Sequence, residues 1–271
     1  MDHIGVPLSW KVPLSDSLHA IQASVWVAIL QFIQYLLFGT GFFLLPVSQI
    51  SLFVRTNLLS PTSSLSTSVP DPSSIISPEL DAHNPVNIAD VEIIPIPLNL
   101  NPATAFTTQE GIFSFLCILV QPKSTGSVRL NSPDPRMRPL VDLGAFTAPE
   151  DVAVLRKALK LALALAREMG AQGWNVKQDY ELPSSEEENV LDEFIRSTAQ
   201  TEFHYSSTCR MAPENGIRPG VVDDELKVHG VQGLRVADAS VFPNILATHI
   251  QAPVVAVAEK CADMVKRAHA T

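Results

Sequence analysis

The chain has 271 residues, of which 46 % are hydrophobic and 17 % are charged, and its formal net charge is −9. This length allows one or two domains with a sizeable core, and the negative balance argues against partners such as nucleic acid or anionic membrane surfaces. The three cysteines, Cys117, Cys209 and Cys261, are odd in number and show no C-x-x-C spacing. The cysteine pattern therefore indicates neither a disulfide framework nor a metal site.

The most apolar segment lies between residues 23 and 54. Residues 25–45 carry no charge, but Gln31, Gln34 and Gly39 interrupt the run and Pro46 ends it. A membrane span needs about 20 predominantly apolar residues, so we predict a buried helix followed by a loop, with a membrane anchor as the alternative. The acidic start disfavours a cleaved signal peptide. Together with the absence of an N-x-S/T sequon, this favours the cell interior.

Residues 56–104 are rich in Ser, Thr and Pro and predict a variable surface loop with one extended piece at 91–94. The apolar run 111–121 predicts a strand buried on both faces. Residues 127–130 predict a second strand, which we expect to pair with the first one in an antiparallel sheet.

Two helices are predicted after this sheet. Residues 149–170 begin with Pro and two acidic residues, repeat apolar residues at helical spacing and end at Gly170. A second helix follows Ser185, where Glu188 completes a capping-box pattern. The residues expected on its buried side are Val190, Leu191, Phe194 and Ile195.

Two histidines, His204 and His249, lie in turn-rich segments on either side of a short apolar strand predicted at 234–237 and ending at Asp238. One neutral imidazole can take a proton from a substrate hydroxyl while a second one holds the same oxygen. The strand, the loop and a helix from about Ala252 follow an order that places backbone N–H groups beside an anion such as a cofactor phosphate.

The other histidines receive simpler interpretations. As the third residue of the sequence, His3 is expected to be frayed unless it belongs to a site motif, and His229 is expected to make a structural hydrogen bond in a turn. The remaining three are predicted to lie on the surface: His19, His83 and His269.

Several motifs, in a fixed order, resemble the glucose-methanol-choline (GMC) family of FAD-dependent alcohol oxidases and dehydrogenases. They are His204-x-x-Ser207-Thr208-Cys209-x-Met211, Val221-Val222-Asp223, the run 233–243, His249-x-x-Ala252-Pro253, the strand pair 121–130 and the helix end Tyr35–Gly41. Met1-Asp2-His3 resembles the middle of the family's "NLQDH" motif, whose Asp-His pair lies near the cofactor in full-length relatives, so the resemblance implies a place near the site for His3 as the alternative to fraying. Ser207 stands where the family usually has Gly.

No G-x-G-x-x-G follows a strand, so the chain resembles the second half of a GMC enzyme. The resemblance implies an α+β fold, with an antiparallel-sheet substrate-binding domain and flanking helices over 1–215. Residues 216–271 would supply the C-terminal strand and helix of an incomplete, Rossmann-like FAD-binding domain. Such a chain is expected to be marginally stable or aggregation-prone alone and to bind FAD weakly or not at all, unless a second chain supplies the N-terminal nucleotide-binding half.

The resemblance also implies roles at the site. His204 would accept the hydroxyl proton of an alcohol substrate, and His249 would hydrogen-bond the same oxygen. Asp238 and Ala239 would lie along the FAD diphosphate, with His249, Ile250 and Gln251 near the flavin ring. A truncated, non-catalytic remnant that serves as an interaction module is the alternative. The Ser/Pro-rich loop and the motif at 248–253 resemble fungal members that act on aromatic alcohols or natural-product intermediates.

Overall fold

The computed structural model describes residues 1–44, 47–59, 88–101, 110–174 and 178–270. The chain divides into two compact units. The first unit contains residues 1–4, 120–151 and 201–271, and the second unit contains residues 5–119 and 152–200. The predicted functional division into 1–215 and 216–271 concerns ligand binding and stays a prediction.

Regular elements occur throughout the described residues. The strands are β1 (Ile4–Val12), β2 (Leu52–Val54), β3 (Val91–Ile96), β4 (Gly111–Leu119), β5 (Ser127–Arg129), β6 (Leu140–Asp142), β7 (Gln178–Glu181) and β8 (Gln200–Thr201). The helices are α1 (His19–Ala23), α2 (Val25–Phe38), α3 (Pro149–Ala171), α4 (Glu188–Thr198) and α5 (Gln251–His269). Helices and antiparallel strands together confirm the predicted α+β class.

A six-stranded sheet runs in the order β2–β3–β4–β1–β7, and β8 pairs with β1 off this path. The pairs β2–β3, β3–β4 and β1–β7 are antiparallel. All nine residues of β4 are buried, as the continuous apolar run predicts. The hydroxyls of Ser9 on β1 and Ser114 on β4 lie 2.9 Å apart, so two buried polar groups satisfy each other.

The predicted helix at 149–170 is confirmed as α3. Of the apolar side chains predicted at helical spacing, Leu155 and Leu159 are fully inaccessible, while Leu163 is half-buried. The carbonyl of Ala158 lies 3.9 Å from the Cys117 thiol on β4. Burial raises the pKa of that thiol well above its ordinary value. Cys117 is therefore an inert core residue.

The second predicted helix is also present, but it begins later than its capping-box pattern suggests. Helix α4 starts at Glu188 and its N-cap, Glu187, makes no side-chain capping bond. Leu191 and Ile195 are buried, while Val190 and Phe194 are only half-buried. Arg156 on α3 forms ion pairs with both Glu188 and Asp192, and these ion pairs hold the N-terminal part of α4 against α3.

Helix α2 confirms the predicted helix, but the prediction that it is buried is wrong. Ser24 caps its start by accepting a hydrogen bond from Val27 N, and Gly39 ends it in the left-handed region at φ 59°. None of its residues is buried. Trp26 and Phe38 are 75 % and 72 % exposed. None of the helices in the described residues combines the length and the hydropathy that a membrane span requires.

Two further strand predictions, both for the first unit, differ from the structure. Strand β5 confirms a strand at 127–130, but it pairs with β6 in a separate two-stranded sheet and not with β4. The predicted strand at 234–237 forms only an isolated antiparallel bridge between Arg235 and Lys227. A strand needs a neighbour along its whole length, and here the pairing ends after the bonds from Val228 to Leu234 and from Val236 to Leu226.

Candidate active site

The start of the chain forms one side of the candidate site. The backbone of residues 1–3 lies beside residues 201–206, through hydrogen bonds from Ser206 N to Met1 O at 2.9 Å and from Glu202 N to His3 O at 3.1 Å. Asp2 is buried, and its carboxylate accepts bonds from the Thr201 hydroxyl and from His204 N at 2.9 Å. A buried carboxylate thus fixes the backbone of His204.

The residues after His204 run along a second segment. Ser207 N, Cys209 N and Met211 N donate to the carbonyls of residues 239, 240 and 241 at 3.2, 2.9 and 2.8 Å. Ser207 sits at φ 69°, in the left-handed region that favours glycine. This positive φ is a physical reason for the Gly that the resemblance implies at this position.

Three imidazole rings come together in the first unit. The Nδ1 atoms of His3 and His204 lie 2.8 Å apart, and their ring centroids are 4.9 Å apart at an interplanar angle of 85°. The rings of His204 and His249 have centroids 5.3 Å apart at 88°. The fold therefore brings together the two histidines predicted for the site, 45 positions apart in the chain, and adds a third.

The prediction that His3 is frayed is wrong, because its residue is only 1 % exposed. Burial, together with the His204 and His249 rings, lowers the pKa of His3 to about 4, while the backbone at Val120 and Leu246 acts in the opposite direction. His3 is accordingly neutral at pH 7. The resemblance of Asp2-His3 to the family's motif was the only sequence signal that placed His3 near the site. Its position at the start of the sequence favoured fraying instead.

The residues predicted to hold a cofactor flank the histidines in sequence. Asp238 is exposed, and its Oδ1 accepts a bond from Ser240 N at 2.8 Å, which starts the short 3₁₀ turn at Ala239–Val241. Ile250 is buried in the cluster of Val222, Leu226, Val241, Phe242 and Ile245. Gln251 begins α5 and is exposed. Their contacts with a cofactor stay predictions.

The other histidines lie away from this cluster. His229 confirms its structural role, with Nε2 2.9 Å from Ala212 O. His269 is exposed, as predicted, and His83 lies outside the described residues. The surface prediction for His19 is wrong: it is 4 % exposed, and its Nε2 accepts a bond from Asn99 N at 3.3 Å.

A cavity of about 410 Å³ also lies within the first unit. Its wall includes Met1, Tyr205, Ser206 and Ser207 from the segments that carry the histidines, and Arg129 and Asp142 from β5 and β6. The cavity is large enough for a small organic molecule. It shares the backbone of the candidate site but not the three imidazole rings.

Comparison with known proteins decides the family. The model of the GMC oxidoreductase family matches residues 122–258, which include His204 and His249. The chain belongs to the GMC oxidoreductase family. Among curated GMC relatives, the dehydrogenase eriK of Hericium erinaceus is 39 % identical over 160 residues, covering 56 % of this chain and 26 % of its own length. Choline oxidase of Arthrobacter globiformis is 34 % identical over 179 residues, covering 65 % and 32 %.

Solved GMC structures match almost the whole chain. An Aspergillus oryzae formate oxidase, studied for modification of its FAD, has a TM-score of 0.78 and 26 % identity over 99 % of this chain and 47 % of its own. A fungal aryl-alcohol oxidase shares the fold, with a TM-score of 0.72 and 23 % identity over 98 % and 47 %. The chain thus spans about half of these structures and a third or less of the curated relatives. FAD as the family's cofactor is confirmed.

The residues at the start of α5 suit an anionic cofactor such as FAD. The helix has no side-chain cap, and its first turn carries no acidic residue. Backbone N–H groups in an uncapped first turn have no partner within the helix and favour negative charge. The residues predicted to contact FAD therefore include the N-terminus of α5, whose backbone N–H groups can donate hydrogen bonds to an anion.

Proposed function

We propose that this chain provides the substrate side of an FAD-dependent oxidoreductase that oxidises the CH–OH group of a small alcohol. The observation that carries this proposal is the pairing of His204 and His249, whose rings lie 5.3 Å apart between centroids. Two imidazoles at this separation can address one hydroxyl oxygen, one as proton acceptor and the other as hydrogen-bond partner. The family relationship supports the same chemistry.

In this proposal His204 accepts the hydroxyl proton. Its backbone is held by Asp2, so the ring is presented from a fixed position instead of a mobile loop. His249 is exposed in the first unit and hydrogen-bonds the same oxygen, which orients the carbon that is oxidised. FAD, when bound, supplies the acceptor for the hydride that leaves this carbon.

The cofactor would be held by the residues around the 3₁₀ turn and the start of α5. Asp238 and Ala239 are assigned to the diphosphate side, and Ile250 and Gln251 to the ring side. The backbone N–H groups of the first turn of α5 favour an anion there. Further FAD contacts come from parts that correspond to the remainder of the longer relatives, on the same polypeptide or on a second chain.

The test is anaerobic reduction of bound flavin by a panel of alcohols. The chain is kept with FAD, without removal of unbound cofactor, and mixed with primary, secondary and aromatic alcohols, while the visible flavin absorption is recorded. Wild-type protein is expected to bleach with at least one alcohol, and His204→Ala to slow bleaching by about 10²–10⁴-fold.

His269→Ala is the matched control, since this histidine is exposed at the far end of α5. It is expected to behave like the wild type. Flavin bound to the chain but not bleached by any alcohol would overturn the reaction, and equal rates for wild type and His204→Ala would overturn the role of His204.

One observation favours the alternative, a non-catalytic interaction module. Helix α2 exposes large apolar side chains, and the uncharged run around it extends over 25–54. Exposed apolar patches commonly mark interaction sites. Under this alternative, Trp26→Ala would weaken self-association measured by sedimentation, and the chain would retain no flavin.

A further inference from the structure

We propose that His3 is a positioning residue for His204: it accepts a hydrogen bond from Nδ1–H of His204 and so keeps the basic lone pair of His204 on Nε2. The catalytic meaning of this arrangement rests on the proposed function, in which His204 is the proton acceptor. The arrangement itself is a property of the chain without cofactor or substrate.

The contact between the two rings requires one donor and one acceptor. The Nδ1 atoms are 2.8 Å apart, a distance at which two nitrogens share one proton. A neutral imidazole has one protonated and one unprotonated nitrogen, so the direction of this bond fixes the tautomer of both rings. Because His3 is 1 % exposed, water does not compete for the bond.

The proposed proton-acceptor role of His204 decides the direction. Because Nδ1 of His204 is engaged by His3, its Nε2 is the nitrogen left to face the hydroxyl, and as proton acceptor that atom must be unprotonated. The proton of His204 therefore lies on Nδ1 and is donated to Nδ1 of His3, which acts as the acceptor.

The consequence is a defined state of His204. Its Nδ1 carries a proton, and its Nε2 carries the lone pair that can take a proton from a hydroxyl. The acceptor in this pair is a neutral ring, and it adds no negative charge beside His204. Asp2 and His3 thus act on one residue in different ways, with Asp2 holding its backbone N–H and His3 its ring.

The first test is spectroscopic and needs neither cofactor nor substrate. The full chain, with ¹⁵N-labelled histidine, is examined at pH 7 by long-range ¹⁵N–¹H correlation, which distinguishes the two neutral tautomers. The His204 signals are assigned from their loss in His204→Ala. We expect the Nδ1–H form for His204 and the Nε2–H form for His3. The Nε2–H form at His204 in the wild type would overturn the proposal without any further variant.

Two substitutions of His3 separate positioning from packing. In His3→Asn the side-chain oxygen can stand in for Nδ1 as an acceptor, whereas His3→Leu fills similar space without one. His204 is expected to stay in the Nδ1–H form in His3→Asn and to change to Nε2–H, the form that histidine prefers in water, in His3→Leu. Persistence of the Nδ1–H form of His204 in His3→Leu, with wild-type circular dichroism, would contradict the proposal.

Activity is the second readout. In the flavin-bleaching assay, His3→Leu is expected to lower kcat by roughly 10²-fold with little change in KM, and His3→Asn to restore most of the rate. A structural role alone would make both variants equally poor. Absence of bleaching in every form, including the wild type, counts against the proposed function and leaves the tautomer result to stand or fall by itself.

Discussion

Among the described residues, each unit contains one buried histidine, and the two have different surroundings. His19, in the second unit, accepts a hydrogen bond from Asn99 N, and the backbone at Glu110 favours its ring proton. His3, in the first unit, faces two other imidazoles, and its closest partner is the ring of His204. Burial lowers the pKa of both. A shifted pKa therefore does not by itself mark a functional residue.

What distinguishes the two is the partner. Backbone groups do not change protonation, so the ring of His19 joins parts of the second unit in a fixed way. The partner of His3 is a side chain that can gain and lose a proton. A buried histidine that is hydrogen-bonded to another titratable ring can fix the orientation of that ring. His3 is therefore a candidate for the site, whereas His19 belongs to the core.

The largest expected effect is on stability at acidic pH. His3 has a folded pKa of about 4 against 6.5 as its ordinary value, so between these values the unfolded chain binds more protons and stability falls as pH decreases. At roughly 1.4 kcal/mol per pH unit, His3 accounts for a loss of about 2 kcal/mol between pH 6.5 and 5. Urea unfolding at several pH values measures the loss. His3→Leu should flatten the slope, and His269→Ala should leave it unchanged.

A smaller effect tests His19 as a structural residue. His19→Leu removes the acceptor of Asn99 N and is expected to cost about 1 kcal/mol in the free energy of unfolding, the typical net contribution of one hydrogen bond. His19→Gln, whose oxygen can replace Nε2, should recover part of this loss. Neither variant should change the tautomer of His204, and a change there would break the distinction between the two histidines.

The smallest effect concerns the backbone of the candidate site. Ser207 lies at φ 69°, so Ser207→Gly should relieve strain and stabilise the protein by roughly 1 kcal/mol. Ser207→Ala keeps the Cβ atom and should show no such gain. Thermal unfolding of the two variants side by side measures the difference, and equal melting temperatures would show that the site tolerates this conformation without strain.

The sequence predicted those elements whose evidence is local. The continuous apolar run of β4 and the helical spacing of α3 identify both elements without knowledge of their neighbours. Strand β1 was missed because Pro7 and Lys11 interrupt its pattern, although nearly all of it is buried. The partner of β5 was assigned wrongly, since the choice between β4 and β6 depends on tertiary packing and not on the strand itself.

The site shows the same division. The resemblance predicted His204 and His249, and the fold brings their rings together, while their catalytic roles stay predictions. His3 and His19 were both placed at the periphery, because burial of an isolated polar residue depends on contacts distant in sequence, such as the 201 positions between His3 and His204. Ser207 was recognised as unusual, and its positive φ gives the reason.

The short backbone pairing between residues 1–3 and 201–206 has a consequence for how the site assembles. Successive side chains of an extended segment project to opposite sides, so a slip of one residue would exchange the directions of Asp2 and His3. The carboxylate would then lose His204 N, and the imidazole would lose the His204 ring, both at once. The register of this pairing therefore determines both contacts together: the chain either positions both groups on His204 or positions neither.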